Sequence, residues 1–229
     1  MTDSFVTIHV RDAARAKVTR AVDARMAHQG YERVLGPSGD QVGIVRVALV
    51  VRGRWTSVAG VERTEADDWA KALSKASGGY ALEAFHWDGE STTSLVLFDG
   101  GKKVGELGLP SDARRIDHRK IAVPLGKLSR LVGDGTQKDG LELHVPVESD
   151  LEDDFVYVSL SDANRAFRRA FGIESLVLDI EDEDEEHSLT YRSKRAAEEE
   201  AEESDRVRAM WRAAYDARVY AVGWVAFEY

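Results

Sequence analysis

The alternation of apolar and polar positions over residues 44–107 predicts a strand, a helix and three further strands. The opening run IVRVALVVRGRWTSVAG is rich in β-branched residues, which together with Trp55 favour a pleated sheet over a helix. The runs YALEAFHW and TTSLVLF are apolar on both alternating faces, and Asp99-Gly100-Gly101 favours a tight hairpin turn into KKVGEL. Strands of this kind predict a sheet that is covered on both sides.

The helix within this stretch is predicted over residues 65–77. Thr64 is placed to act as its N-cap, because a hydroxyl can accept a hydrogen bond from a free backbone N–H. Gly78 can adopt the left-handed conformation that ends a helix. One face is apolar and is formed by Ala66, Trp69, Ala70, Leu73 and Ala76.

The N-terminal residues repeat the order of strand, capped helix, glycine and strand. A strand is predicted over residues 5–10, followed by Asp12 as N-cap, a helix over residues 13–29, and Gly30. The polar run over residues 109–120 then predicts a boundary between an N-terminal half, residues 1–123, and a C-terminal half. A single continuous domain is the alternative.

The C-terminal half, residues 124–229, has a short helix candidate in LGKLSRLVG, and LELHVPV reads as an edge strand because it contains a proline. FVYVSL predicts a strand, Ser161 an N-cap and DANRAFRRAFG a helix, after which IESLVLDI predicts another strand. This is the third occurrence of the same order of elements.

The last residues predict a long helix over residues 187–218 and a terminal strand over residues 219–229. The second part of the helix has an apolar stripe, whereas residues 193–205 offer only alanines, so the first part is expected to project. The stripe consists of Val207, Met210, Trp211, Ala214 and Tyr215. The predicted fold class is therefore α+β, with a mixed, largely antiparallel sheet or sheets, capped helices packed on them and a long, acidic C-terminal helix.

The amino-acid composition excludes several kinds of site. The chain of 229 residues is 43% hydrophobic and 31% charged, which is ordinary for a globular protein. Cysteine is absent, which excludes disulfides, thiolate metal ligands and cysteine nucleophiles. The N-terminus lacks a signal-peptide pattern, and Arg46 interrupts the longest apolar run, residues 42–51. We therefore expect a cytoplasmic protein with no membrane span.

The net charge of -10 comes from one region. Residues 179–205 contain thirteen acidic residues against Arg192, Lys194 and Arg195, and the rest of the chain is balanced. Phosphates would be repelled there, so nucleic acid is an unlikely ligand and a basic protein partner is expected. A face kept acidic only for solubility is the alternative. The predicted partner-binding residues are Glu181, Asp182, Asp184, Glu185, Glu198, Glu199, Glu202 and Glu203.

The sequence offers little evidence of catalysis. The sequence contains no glycine-rich phosphate loop, serine nucleophile elbow or calcium-binding loop, so a non-enzymatic protein without a cofactor is expected. The alternative is a metal-dependent hydrolase. His86 and Asp88 are two residues apart on a predicted strand and so share a face, and His144 with Glu142 would complete the ligands.

One part of the chain resembles a known class of proteins. The runs GRWTSV, DDWAKALSKASGGYALEAFHWD and LVLFDGGKKV resemble a pattern found in uncharacterised bacterial α/β proteins, including small immunity proteins that neutralise toxins. The resemblance implies a binding function of the immunity or adaptor type. It implies no catalytic residue.

Overall fold

The structure is a computed structural model that describes residues 4–34, 44–87, 92–117, 120–132, 142–146, 148–150, 155–178 and 188–225. The helices are α1 (Arg15–His28), α2 (Ala66–Ser77), α3 (Leu160–Phe171) and α4 (Lys194–Val225). The strands are β1 (Ser4–Arg11), β2 (Tyr31–Val34), β3 (Ile44–Arg52), β4 (Trp55–Ala59), β5 (Tyr80–Trp87), β6 (Thr92–Asp99), β7 (Lys102–Leu109), β8 (Arg114–Asp117), β9 (Lys120–Pro124), β10 (Glu142–Pro146), β11 (Glu148–Asp150), β12 (Phe155–Tyr157) and β13 (Ser188–Ser193).

An eight-stranded antiparallel sheet organises the fold, with the strand order β2-β13-β3-β4-β1-β5-β6-β7. A three-stranded sheet, β10-β9-β8, and a two-stranded sheet, β11-β12, accompany it. The predicted α+β class with a largely antiparallel sheet is confirmed. As expected from its proline, β10 is an edge strand of its sheet.

Helices α1 and α2 cover one face of the large sheet. Trp69 and Leu73 of α2 pack against the same buried cluster as Val18 and Val22 of α1, and Ile8 of β1 lies beneath them. The helical period of the apolar residues in α2 places the bulky side chains on the face toward the sheet, as predicted. Gly78 ends α2 in the left-handed conformation, with a φ of 70°.

The other face of the large sheet carries the C-terminal elements. Leu82 and Leu97 of the sheet share a buried cluster with Val123 of β9, Leu128 of a 3-10 turn and Phe167 of α3. The large sheet is therefore covered on both sides, as its apolar strands predict. One core cluster thus contains residues from both predicted halves, and the division between residues 123 and 124 stays a prediction.

The hairpin between β6 and β7 has the turn that the sequence predicts. Gly100 and Gly101 both have positive φ angles, 54° and 83°. The two strands pair antiparallel from Asp99 opposite Lys102, with a register shift between Leu97 and Phe98. The polar connector that the sequence predicts over residues 109–120 is not a loop throughout, because it contains β8 and the start of β9.

The predicted N-caps of α1 and α2 are both wrong. Asp12 adopts a positive φ of 54°, and its carboxylate accepts two hydrogen bonds from Arg54, at 2.7 and 2.6 Å, so it is turned away from α1. Thr64 lies within a 3-10 turn, Arg63–Glu65, that precedes α2. The backbone there is already helical, and a capping residue requires an extended backbone.

The cap of α3 lies two residues before the predicted Ser161. The backbone N–H of Asp162 donates to Ser159 Oγ at 3.1 Å, and the same hydroxyl donates to the Asp162 carboxylate at 2.8 Å. Beyond α3 and Gly172, the strand predicted over residues 173–180 is wrong for residues 173–178, which are irregular. Residues 179 and 180 lie outside the described part of the chain.

The C-terminal prediction needs two corrections. Ser188–Ser193, placed in the predicted helix, forms β13 between β2 and β3, because Leu189 and Tyr191 alternate inward with a period of two. The terminal strand predicted over residues 219–229 is wrong for residues 219–225, which continue α4. Extending an existing helix needs no new nucleus, whereas a strand needs a partner edge. Residues 226–229 are not described.

Among the described residues, no helix combines the length and the apolar character that crossing a bilayer requires.

Candidate functional site

The predicted acidic docking surface is described only on α4. Glu198, Glu199, Glu202 and Glu203 are all exposed there. The other predicted residues, Glu181, Asp182, Asp184 and Glu185, lie outside the described residues.

Intrahelical ion pairs neutralise part of this acidic surface. Arg195 donates to Glu199 at 2.8 Å, and Arg206 lies 3.6 Å from Glu202. Pairs at this spacing on an exposed helix contribute little to stability, because solvent screens them. They are therefore cheap to exchange for the cations of a partner.

The apolar stripe of α4 is exposed as far as its side chains are described. Val207 is 42% exposed, Met210 64% and Trp211 69%. All side chains from residue 205 to residue 213 are exposed, so solvent surrounds this part of the helix on every side. The sequence assigned the stripe to packing and expected only the first part of the helix to project. The structure instead leaves Val207, Met210 and Trp211 of the stripe uncovered.

The candidate metal ligands that the structure describes differ in their exposure to solvent. His86 is 1% exposed, and its Nδ1 lies 2.9 Å from the hydroxyl of Thr93. The other two candidates lie on β10, in a different sheet from His86, and both His144 and Glu142 are exposed there.

The described residues contain no group of three His, Asp or Glu side chains able to hold a metal ion. Asp88 lies outside them. The hydrolase alternative therefore stays a prediction without a described ligand set.

A cleft that the sequence did not predict opens beside the C-terminal end of α1 and the start of α2. We call it the α1–α2 cleft. Its volume is about 290 Å³. It is lined by Met26, Gln29, Tyr31, Val45, Gly60, Val61, Glu62, Glu65 and Trp69. It combines an apolar floor with a few polar groups, as small-molecule sites do.

Two carboxyl groups interact at the first turn of α2, where Asp67 of the helix lies close to Glu83 of the sheet beneath it. Glu83 of β5 is 9% exposed, and its Oε2 has no hydrogen-bond partner among the described residues. Burial, and then the hydrogen bond and charge of Asp67, raise the pKa of Glu83 to about 7. The charges of Lys103 and Arg63 lower the same pKa by less. Near neutral pH, Glu83 is therefore partly protonated.

A buried histidine joins the large sheet to the segment after α3. His9 Nε2 donates to the carbonyl oxygen of Leu176 at 2.8 Å, which leaves Nδ1 to accept from the Ser57 hydroxyl, also at 2.8 Å. Burial lowers the pKa of His9 to about 4, against the smaller opposing effect of the bond to Leu176. With both nitrogens occupied and no exposed surface, this Ser–His pair is a structural contact.

The sequence contained signals for two of these sites. Glu83 is the single acidic residue in the apolar run YALEAFHW, and His9 is a polar residue in the strand FVTIHV. A polar side chain at an inward position requires a partner, which is a signal of a buried contact. The α1–α2 cleft left no such signal, because its residues come from separate elements that meet only after folding.

Comparison with known proteins identifies no relative. No family model matches the chain, and neither the curated proteins nor the solved structures include a significant match.

Proposed function

We propose that this is a non-enzymatic, cytoplasmic protein-binding protein of the adaptor or immunity type, which docks a basic, amphipathic partner on α4. The observation that carries the proposal is the exposure of Met210 and Trp211, at 64% and 69%, directly after an acidic run on the same helix. Aromatic and methionine side chains are enriched at protein interfaces, and uncovered apolar patches favour association.

The order of acidic and apolar residues along α4 indicates what kind of partner surface would fit it. Glu203 precedes Val207 by four residues and Met210 by seven, so the three lie on one face of the helix. A matching partner has an apolar strip with cationic side chains at one end.

The two parts of this surface have different roles in binding. Burying a side chain such as Met210 or Trp211 contributes about 1.5–3 kcal/mol before the costs of association are subtracted. The exposed carboxylates, Glu198 and Glu203 among them, mainly accelerate encounter and select a cationic partner. Affinity is therefore expected to depend on the apolar stripe, and the association rate on the acidic run.

The experiment uses a synthetic helical peptide of leucine and lysine, and a matched peptide in which glutamate replaces lysine. Binding of each labelled peptide to the full chain is followed by fluorescence anisotropy and stopped flow at low and high salt. The full chain is expected to bind the lysine peptide and to leave the glutamate peptide unbound. A variant with Met210→Gln and Trp211→Gln should bind at least about tenfold more weakly.

A second variant replaces Glu198, Glu199, Glu202 and Glu203 by glutamine. Its association should be slower at low salt and equal to that of the wild type at high salt, because screening removes the steering. The control is Val51→Gln, which removes an apolar side chain that is 46% exposed on β3.

Two results would overturn the proposal. Equal binding by the Met210/Trp211 variant and the Val51 variant would show that the stripe is not the docking surface. Sedimentation is the other measurement: a wild-type dimer that dissociates on substitution of Met210 and Trp211 would show that a second copy of the chain covers α4.

A further inference from the structure

We propose that the α1–α2 cleft binds a small organic cation in which an ammonium group is carried on an apolar body. This inference concerns a different surface from α4 and does not rest on the docking proposal. Four observations support it: the shape of the cleft, its charge, the fixed position of Glu65 and the adjoining end of α1.

The size and floor of the cleft suit a small, partly apolar molecule. A volume of about 290 Å³ lies just below the range usual for ligand sites, which is about 300–1,000 Å³, so only a small molecule would fit. Met26, Val61 and Trp69 are buried, and Tyr31 and Val45 are half-buried at its wall. Apolar atoms of a ligand would therefore replace water against an apolar surface.

The charge of the lining selects a cation. Glu62 and Glu65 are the charged residues of the lining, and both are acidic. Within the described part of the chain, neither forms an ion pair. A half-enclosed site with two acidic side chains and no basic one favours a positively charged guest.

Glu65 is held in place by two neutral donors. Its Oε2 accepts from Trp69 Nε1 at 3.2 Å and also from the side-chain amide of Gln29. An ionised carboxylate has about four acceptor positions, so it retains capacity for the N–H groups of a ligand. Both donors are neutral, so they orient the carboxylate without cancelling its negative charge. A bound ammonium ion would cancel that charge.

The helix ends at the cleft act in opposite directions. Gln29 is the C-cap of α1, and the partial negative charge at that end favours a cation. Glu65 stands at the N-terminus of α2, whose partial positive charge stabilises an acidic side chain even without a ligand. A loss of fold stability on substituting Glu65 would therefore not show that Glu65 binds a ligand. The experiment measures ligand binding and fold stability separately.

The test compares phenethylamine with 2-phenylethanol, which has nearly the same shape and no charge. Binding to the ¹⁵N-labelled full chain is measured by calorimetry and by the NMR signal of the Trp69 indole N–H, assigned with Trp69→Phe. We expect phenethylamine to shift this signal with a submillimolar Kd. The alcohol should bind at least about tenfold more weakly.

Glu65→Gln is the main variant, because glutamine keeps an oxygen that can accept from Trp69 while removing the charge. It is expected to weaken phenethylamine binding at least about tenfold and to leave binding of the alcohol unchanged. Glu62→Gln is a second variant that removes a charge without touching the Trp69 contact. The control is Glu32→Gln, an equal change of charge on β2 at a residue that is exposed and outside the lining.

Thermal unfolding of each variant separates loss of binding from loss of the fold. The proposal fails if phenethylamine at up to about 10 mM leaves the Trp69 signal unshifted. It also fails if the alcohol binds as tightly as the amine, or if folded Glu62→Gln and Glu65→Gln proteins bind the amine as tightly as Glu32→Gln.

Discussion

His9 and Leu176 are 167 positions apart in the chain, and their 2.8 Å hydrogen bond joins the central strand of the sheet to the segment after α3. Thr7 and Arg11, two residues to either side on β1, make equivalent bonds. Thr7 Oγ1 accepts from the Leu178 N–H at 2.8 Å, and Arg11 donates to the Arg130 carbonyl at 2.9 Å. Three successive side chains on one face of β1 thus hold the C-terminal layer by its backbone.

Acid should weaken the fold through His9. Its pKa is lowered from 6.5 to about 4 in the folded protein, so its contribution is complete above pH 6.5 and is lost as the pH falls toward 4. The loss from this group is up to about 3 kcal/mol. Urea unfolding between pH 7 and pH 4 should show a steeper decline for the wild type than for His9→Gln. An equal decline in the two proteins would contradict this role of His9.

Glu83 should have the opposite dependence on pH. Its pKa rises from 4.5 to about 7 on folding, so its contribution is present below pH 4.5 and is lost as the pH rises through 7. Glu83→Gln should therefore stabilise the protein by about 1–2 kcal/mol at pH 8 and change little at pH 4.5. Equal effects at both pH values would contradict the assignment. Asp67→Asn should lower the Glu83 pKa in a ¹³C NMR titration.

The bond from Thr7 to Leu178 should protect a single amide. Thr7→Val keeps the shape of the side chain but leaves the buried Leu178 N–H without its acceptor, at a cost of about 1–3 kcal/mol. Hydrogen exchange at Leu178 should become faster. Thr56→Val removes a bond from a threonine hydroxyl to the Ala13 carbonyl, so it is the control and should leave the Leu178 exchange rate unchanged relative to global stability.

Substituting two nearby serines tests which of them is the N-cap of α3. Ser159→Ala should destabilise the protein by about 1 kcal/mol, because the Asp162 N–H loses its acceptor. Ser161→Ala, at the position favoured by sequence alone, should change the free energy of unfolding by less than about 0.5 kcal/mol. Thermal and urea unfolding check both, and a larger effect at Ser161 would restore the sequence-based cap.

The elements that could be predicted from the sequence are those whose signals lie within a few residues of one another. The hairpin glycines Gly100 and Gly101, the end of α2 at Gly78 and the apolar face with Trp69 all follow from backbone preferences and periodicity within a few residues. The layered α+β class follows too, because strands apolar on both faces require covering layers, and the hairpin turn at Gly100 and Gly101 makes the strands on either side of it antiparallel.

The partners of polar side chains and of several short segments could not be predicted, because they depend on how distant parts of the chain pack together. Asp12 faces Arg54 rather than α1, Ser188–Ser193 finds a place between two strands, and the segment after α3 is fixed by His9 instead of forming a strand. The acidic and apolar character of α4 and the projection of its first part could be read in advance, but the exposure of Val207, Met210 and Trp211 could not. Each of these outcomes depends on contacts between residues far apart in the chain, and the energies of such contacts exceed local propensity.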